Sequence, residues 1–159
     1  MKYLGIALIA LASSLGFSVY KRKLCARVDR LSAVLRLVEH ISERVSGYLE
    51  PPSVWARGFS SGDCEIDGFL SLVASGENPR QAYSESGGFM LSGEARVLAD
   101  TLFCELGRRD IGESRHSLDS ARSGLERILS EERRQLEERI RVGAAMTLLL
   151  SLGGIITVI

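Results

Sequence analysis

Residues 24–49 read LCARVDRLSAVLRLVEHISERVSGYL. Leu24, Val28, Leu31, Leu35, Val38, Ile41, Val45 and Leu49 recur at steps of three and four, along one face of an α-helix. Arg30, Arg36, Glu39, Glu43 and Arg44 fall mostly elsewhere on that helix. Gly47 weakens the end of the pattern and Pro51-Pro52 stops it. Nothing breaks the chain on the N-terminal side, so the spacing predicts one helix running back into the residues that precede it.

Those residues are of another character. Residues 3–20, YLGIALIALASSLGFSVY, carry no charged side chain. A bilayer core takes roughly 20 apolar helical residues, with about 17 as a lower limit, and residues 3–20 meet it. Tyr3 and Tyr20 stand where interfacial aromatics sit. A cleaved signal peptide is the rival reading, since Lys2 precedes the apolar run and Ala10-Leu11-Ala12 is a small-x-small triplet. Against it, Lys21-Arg22-Lys23 follows the run directly and resists translocation. Residues 142–159, VGAAMTLLLSLGGIITVI, are the second charge-free segment, preceded by Arg139 and Arg141. The expected organisation is a transmembrane helix at 3–20, a cytoplasmic helical domain at 21–141 and a transmembrane helix at 142–159. The positive-inside bias at both borders puts the middle in the cytoplasm and both termini across the membrane. Gly143, Ala144, Ala145, Gly153 and Gly154 permit close helix contact in lipid and leave room for a homo-oligomer, or simply fill a lipid-facing span.

The 159 residues hold 20 Lys+Arg and 20 Asp+Glu, a net charge of zero that averages unlike parts. Residues 21–30 carry five basic and one acidic side chain, whereas residues 31–107 carry five basic and eleven acidic, a balance of −6. With no basic surplus and 6% aromatic residues, a nucleic-acid binder driven by phosphate neutralisation is disfavoured. Cys25, Cys64 and Cys104 form no CxxC or Cys/His spacing, so free thiols in a reducing compartment are expected rather than a disulfide frame or zinc site.

Shorter elements fill the middle. Val54-Trp55-Ala56 suits a single turn, and Ile66, Phe69, Leu70 and Val73 make a helical stripe ending before Gly76. Asn78 is placed to cap a helix opening at Pro79, with Ala82 and Tyr83 on its buried side. Gly87-Gly88 breaks the chain, and Ser92 is placed to cap a helix carrying Val97, Leu98, Thr101, Leu102 and Leu106. Asp110 is placed as the cap of the longest element, whose stripe runs through Leu118, Ala121, Leu125, Leu129, Leu136 and Ile140. Glu105 with Arg109, and Glu137 with Arg141, are spaced as favourable pairs. Strand patterns are nearly absent, which predicts an all-α domain with two long membrane-continuous helices closed by shorter ones.

No catalytic constellation is evident. His40 and His116 read as helix-surface residues, and Cys64 as an incidental thiol without a partner to lower its pKa. Asp63, Glu65 and Asp67 invite a calcium reading, but the twelve-residue loop with its terminal Glu is missing, and acids at a helix start explain them. Nucleophile-elbow, Walker and zincin motifs do not occur, so nothing points to an enzyme or a bound cofactor. Trp55 reads as core filler or, more sharply, as an interface anchor.

The order of these parts resembles the stage III sporulation protein AB family. The resemblance spans essentially the whole chain: a short first span and basic helix, the LVASGENPRQAY stretch, Leu106-Gly107-Arg108-Arg109-Asp110 opening a long charged helix, and a final span. Its sharpest element is leucine-glycine-x-x-aspartate, matched at Leu106, Gly107 and Asp110; where the family often has glutamine four residues later, this chain has Ser114. The resemblance implies a membrane-anchored antiparallel helical bundle like the cytoplasmic domain of type II secretion F-type platform proteins. It implies a non-enzymatic part in the channel complex between mother cell and forespore, in the mother-cell-side membrane. The partners it implies are a cytoplasmic secretion-type ATPase and the other stage III sporulation channel proteins. Arg108, Arg109, Asp110, the acids Asp63, Glu65 and Asp67, and Trp55 are then the candidate contacts. A general membrane-anchored helical adaptor in envelope or division machinery is the alternative.

Overall fold

A computed structural model describes the backbone of residues 2–48, 50–106 and 111–158, and the side chains of residues 11–12, 14–45, 50–106 and 115–149. Six α-helices occur among these residues: α1 (Lys2–Tyr48), α2 (Pro52–Arg57), α3 (Cys64–Ala74), α4 (Pro79–Glu85), α5 (Gly93–Glu105) and α6 (Ile111–Val158), with a short 3-10 turn at Gly87–Met90. No strand is present among them, and the chain is all-α. No helix is long and apolar enough to cross a membrane among the described residues. Residues 3–10, 13 and 150–159 of the two apolar segments lie outside the residues whose side chains are described.

The chain divides into two compact units, one of Met1–Val28 with Glu131–Ile159 and the other of Asp29–Ser130. Residues 21–28 and 131–141 therefore group with the chain ends. In that first unit α1 and α6 run antiparallel, since Phe17 lies over Gly143 while Arg27, ten residues on, reaches back to Glu132 at 2.6 Å. A Cβ on Gly143 would stand 2.9 Å from the Phe17 ring, so the missing side chain is what lets the ring seat there.

The second unit holds the hydrophobic core. From α1 it takes Leu31, Val34, Leu37, Val38 and Ile41, a broader face than the stripe expected from spacing. Val34 and Leu37 are fully enclosed, whereas the expected Leu35 is half-buried. Neighbours on more than one side widen the face: His40 reaches α2, Arg30 reaches the start of α3, and Glu39 pairs with Arg122 of α6. The expected stripe of α3, Ile66, Phe69, Leu70 and Val73, is buried, as are Leu118, Ala121, Leu125 and Leu129 of α6, whereas Leu136 and Ile140 further along α6 are only half-buried. On α5 Leu102 is buried as expected, but its companions are Ala95, Ala99 and Phe103, while Val97 and Thr101 are exposed.

Local caps follow the side-chain chemistry closely, with exceptions. Asp63 accepts from the Glu65 N–H and Asn78 from the Arg80 N–H, each at 3.0 Å, satisfying donors that an open helix start leaves free. Ser92 occupies the cap position of α5, yet its hydroxyl makes no capping bond, contrary to the expectation from sequence. Glu137 and Arg141 are not paired, whereas Arg122 with Glu126 and Arg134 with Glu131 form ion pairs along α6. Asp110 as a cap, and the Glu105–Arg109 pair, fall on residues outside those described.

Five aromatic side chains meet at the centre of this unit. Phe103 stacks on Tyr83 at 5.0 Å and meets Phe69 and Phe89 edge-on at 5.4 and 5.2 Å. Phe69 touches Trp55 at 6.4 Å, and Tyr83 meets Phe89 edge-on at 5.0 Å. Edge-to-face pairs at these separations gain about 0.5–1.5 kcal/mol beyond area burial. Phe89 reaches the cluster through left-handed backbone: φ is +66° at Gly88, +56° at Phe89 and +46° at Met90. Such a conformation costs an L-residue roughly 1–2 kcal/mol. Enclosing Phe89 completely is the offset, worth about 1.5–3 kcal/mol. Gly88 is required there twice over, because besides its φ a Cβ would meet the Tyr83 hydroxyl at 3.3 Å.

Candidate functional site

The acids singled out from sequence sit on the loop between α2 and α3. Arg30 Nε donates to Asp63 Oδ2 at 3.2 Å, so Asp63 both caps α3 and ties it to α1. Asp67 accepts from the Ser61 N–H at 2.7 Å and from the Ser61 and Ser60 hydroxyls at 2.9 and 3.4 Å. Burial alone would raise the Asp67 pKa, but these bonds, with the Gly62 N–H, hold it below the ordinary value. Glu65 lies in the first turn of α3, where the helix dipole favours an acid, and one of its oxygens is enclosed without a hydrogen-bond partner. The trio is thus largely committed to shaping its own loop, and only part of its charge is left to meet another molecule. Among the described residues no group of three or more His, Cys, Asp or Glu is gathered as metal ligands.

Trp55 is core and not a surface anchor, with 1% of its surface exposed. An anchor must offer its ring to a partner, and this ring is already covered by α3 through Phe69. Arg108, Arg109 and Asp110 lie outside the described residues. The structure therefore brings Asp63, Glu65 and Asp67 together and separates Trp55 from them by burying it.

His40 departs from its reading as a helix-surface residue. It is half-buried, its Nε2 donates to the Trp55 carbonyl at 3.0 Å, and its ring packs on Phe59 at 5.1 Å. Gly58 follows α2 beside it, and a Cβ there would stand 3.8 Å from the ring. Sequence held one usable signal for this: a histidine at the edge of the apolar stripe, followed by a helix end whose carbonyls need donors. His116 is exposed, and the three cysteines are free.

Tyr83 is the titratable group most altered by the fold. Burial, and then the hydrogen bond its hydroxyl donates to Asp100 Oδ1 at 2.8 Å, push its pKa well above the ordinary 10. A folded-state value above the unfolded one means the unfolded chain releases this proton first. The contribution to stability is complete below about pH 10 and is lost as pH rises towards the folded-state value. Tyr83→Phe is expected to leave the tyrosinate absorbance gained between about pH 9 and 11 unchanged, while lowering stability by about 1 kcal/mol for the lost bond. Loss of a quarter of that absorbance, one of four tyrosines, would show that Tyr83 ionises freely.

No family model, no curated protein and no solved structure matches the chain. The class that the fold itself defines is an all-α chain with two very long helices, and no group of three or more metal-ligating side chains is gathered among the described residues.

Proposed function

We propose that this chain is a non-enzymatic membrane platform of the stage III sporulation AB kind. Two transmembrane helices anchor it, and a cytoplasmic helical domain couples a secretion-type ATPase to the channel between mother cell and forespore. The observation that carries the reading is the continuity of α1 and α6. Each is a single helix, of 47 and 48 residues, that runs from charged, core-forming residues into a charge-free stretch, residues 3–20 in α1 and the residues from 142 onward in α6. A span takes roughly 20 of these residues, which leaves more than half of each helix for the cytoplasmic domain. A displacement applied to the aromatic-cored unit has two helical routes towards the membrane, with no loop along either of them to absorb it.

The ATPase contact is assigned to Arg108, Arg109 and Asp110 and to the loop of Asp63, Glu65 and Asp67. Charge reversal of Arg108 and Arg109 to Glu is expected to reduce recovery of the ATPase in a pull-down by about tenfold, as loss of close interfacial charge pairs does. Recovery equal to that of the parent would remove both arginines from the contact. A defect in vegetative growth, with normal spore formation after deletion, would instead support a general envelope adaptor.

A further inference from the structure

In the unit of the chain ends, an open cleft of about 640 Å3 runs along α6, with Tyr20 of α1 on its other side. Sites that hold small molecules occupy roughly 300–1,000 Å3, so the cleft is of ligand size. Its lining is divided by chemistry. Tyr20, Val142 and Met146 supply an apolar wall, while Arg134, Glu138 and Arg139 supply a charged rim. Arg139, Val142 and Met146 follow at steps of three and four, which keeps them on one face of α6.

The rim cations differ in availability. Arg134 is bonded through two nitrogens to Glu131, at 3.1 and 2.8 Å. Arg139 has no hydrogen bond or ion pair among the described residues. On its other side Arg139 borders a smaller cavity of about 60 Å3, which it shares with Lys23 of the facing helix. Lys21, Arg22 and Lys23 are all exposed. A free guanidinium beside Lys23, over an apolar wall, suits an amphiphile with an anionic head.

We propose that this cleft binds an anionic glycerophospholipid of the phosphatidylglycerol type. Arg139 takes the phosphate in paired hydrogen bonds, a geometry its planar guanidinium supplies and an ammonium does not. Val142, Met146 and the Tyr20 ring cover the first carbons of an acyl chain. Glu138 accepts from the hydroxyls of the head group and disfavours a second phosphate. The inference rests on the membrane-anchored reading above, because Tyr20 ends residues 3–20 and Val142 opens residues 142–159, the level of the lipid head groups in that reading. The surplus of cations around Arg139 selects a lipid with net negative charge over a zwitterion.

The test uses the full chain in neutral detergent, titrated with dihexanoyl phosphatidylglycerol, dihexanoyl phosphatidylcholine or inorganic phosphate and followed by thermal shift. Phosphatidylglycerol is expected to bind the parent about tenfold tighter than Arg139→Gln. Arg133→Gln removes the same charge from a residue that lines neither cavity, and should leave binding unchanged. Arg139→Lys should retain part of the affinity, and unchanged helicity by circular dichroism guards against misfolding. Equal losses in the Arg139 and Arg133 variants would mean diffuse charge attraction and overturn the site. Phosphatidylcholine binding as tightly as phosphatidylglycerol would overturn the selectivity, and inorganic phosphate doing so would reassign the cleft to the free ion. Alkaline extraction of membranes separates the two readings. A chain that is released yet binds the short lipid through Arg139 keeps the cleft and loses the anchors. A chain that is retained without lipid preference keeps the anchors and loses the cleft.

Discussion

Phe103→Ala is expected to destabilise the folded chain by about 4 kcal/mol, the range measured when large aromatic residues are removed from cores. Phe103 is fully enclosed and touches Phe69, Tyr83 and Phe89 together. Removing it takes away the transfer energy of the ring and leaves a cavity that its neighbours cannot readily fill. Phe89 is held by left-handed backbone, and Tyr83 is tethered to Asp100, so neither is free to move in. The loss is large beside a total stability of about 5–15 kcal/mol. Chemical unfolding of the full chain in mild detergent, followed by the fluorescence of its single tryptophan, reads the change directly, because Trp55 packs on Phe69 of the same cluster. Phe103→Leu, which keeps most of the volume, should cost well under half as much. A Phe103→Ala loss below about 1.5 kcal/mol would mean that the core collapses around the gap, and that the cluster is not the rigid centre described above.

Placing an acid at Leu150 is the second large effect, and it addresses the proposed anchors. Leu150 is the ninth of the eighteen residues 142–159, the middle of the proposed span. Aspartate at the centre of a transmembrane helix costs about 2.5–3.5 kcal/mol of insertion free energy, roughly a hundredfold in the ratio of inserted to excluded helix. The readout is the location of a tag placed after Ile159. In protoplasts of cells making the parent chain the tag should be cut by external protease; in Leu150→Asp it should be protected. In the proposed topology the first span would still hold the variant at the membrane, so the tag and not total membrane retention is measured. A tag protected in the parent as well would show that the C-terminal segment does not cross.

Much of the fold was legible because it follows from local chemistry. Periodicity alone marked the buried faces of α3 and α6, and Pro51-Pro52, Gly76 and Gly87-Gly88 marked real interruptions. Asn78 caps α4 as its type and position demand. Each of these depends on neighbours a few residues away, which a sequence displays. The wider face of α1 was not legible in the same way. Val34 and Leu37 become interior only because several elements pack around one helix, and the number of neighbours is not written in the spacing.

The candidate site divides along the same line. That Asp63, Glu65 and Asp67 gather at a helix start was visible, but not that Ser60, Ser61 and Arg30 would engage two of them. His40 and Trp55 are fifteen residues apart, and the bond between one side chain and the other's carbonyl exists only after α1 and α2 fold back on each other. The cleft at Arg139 likewise needs Tyr20 from a helix more than a hundred residues away.

By itself the sequence determined that the chain is helical, where its helices break, and that its charge lies between two charge-free ends, since helix propensity, turn chemistry and hydropathy act over short distances. Only the tertiary structure decided which rings form the core, which acids are taken up by the chain's own loops and which basic side chains border the cleft. Those outcomes depend on contacts between residues far apart in sequence, and their geometry comes into being only when the helices pack.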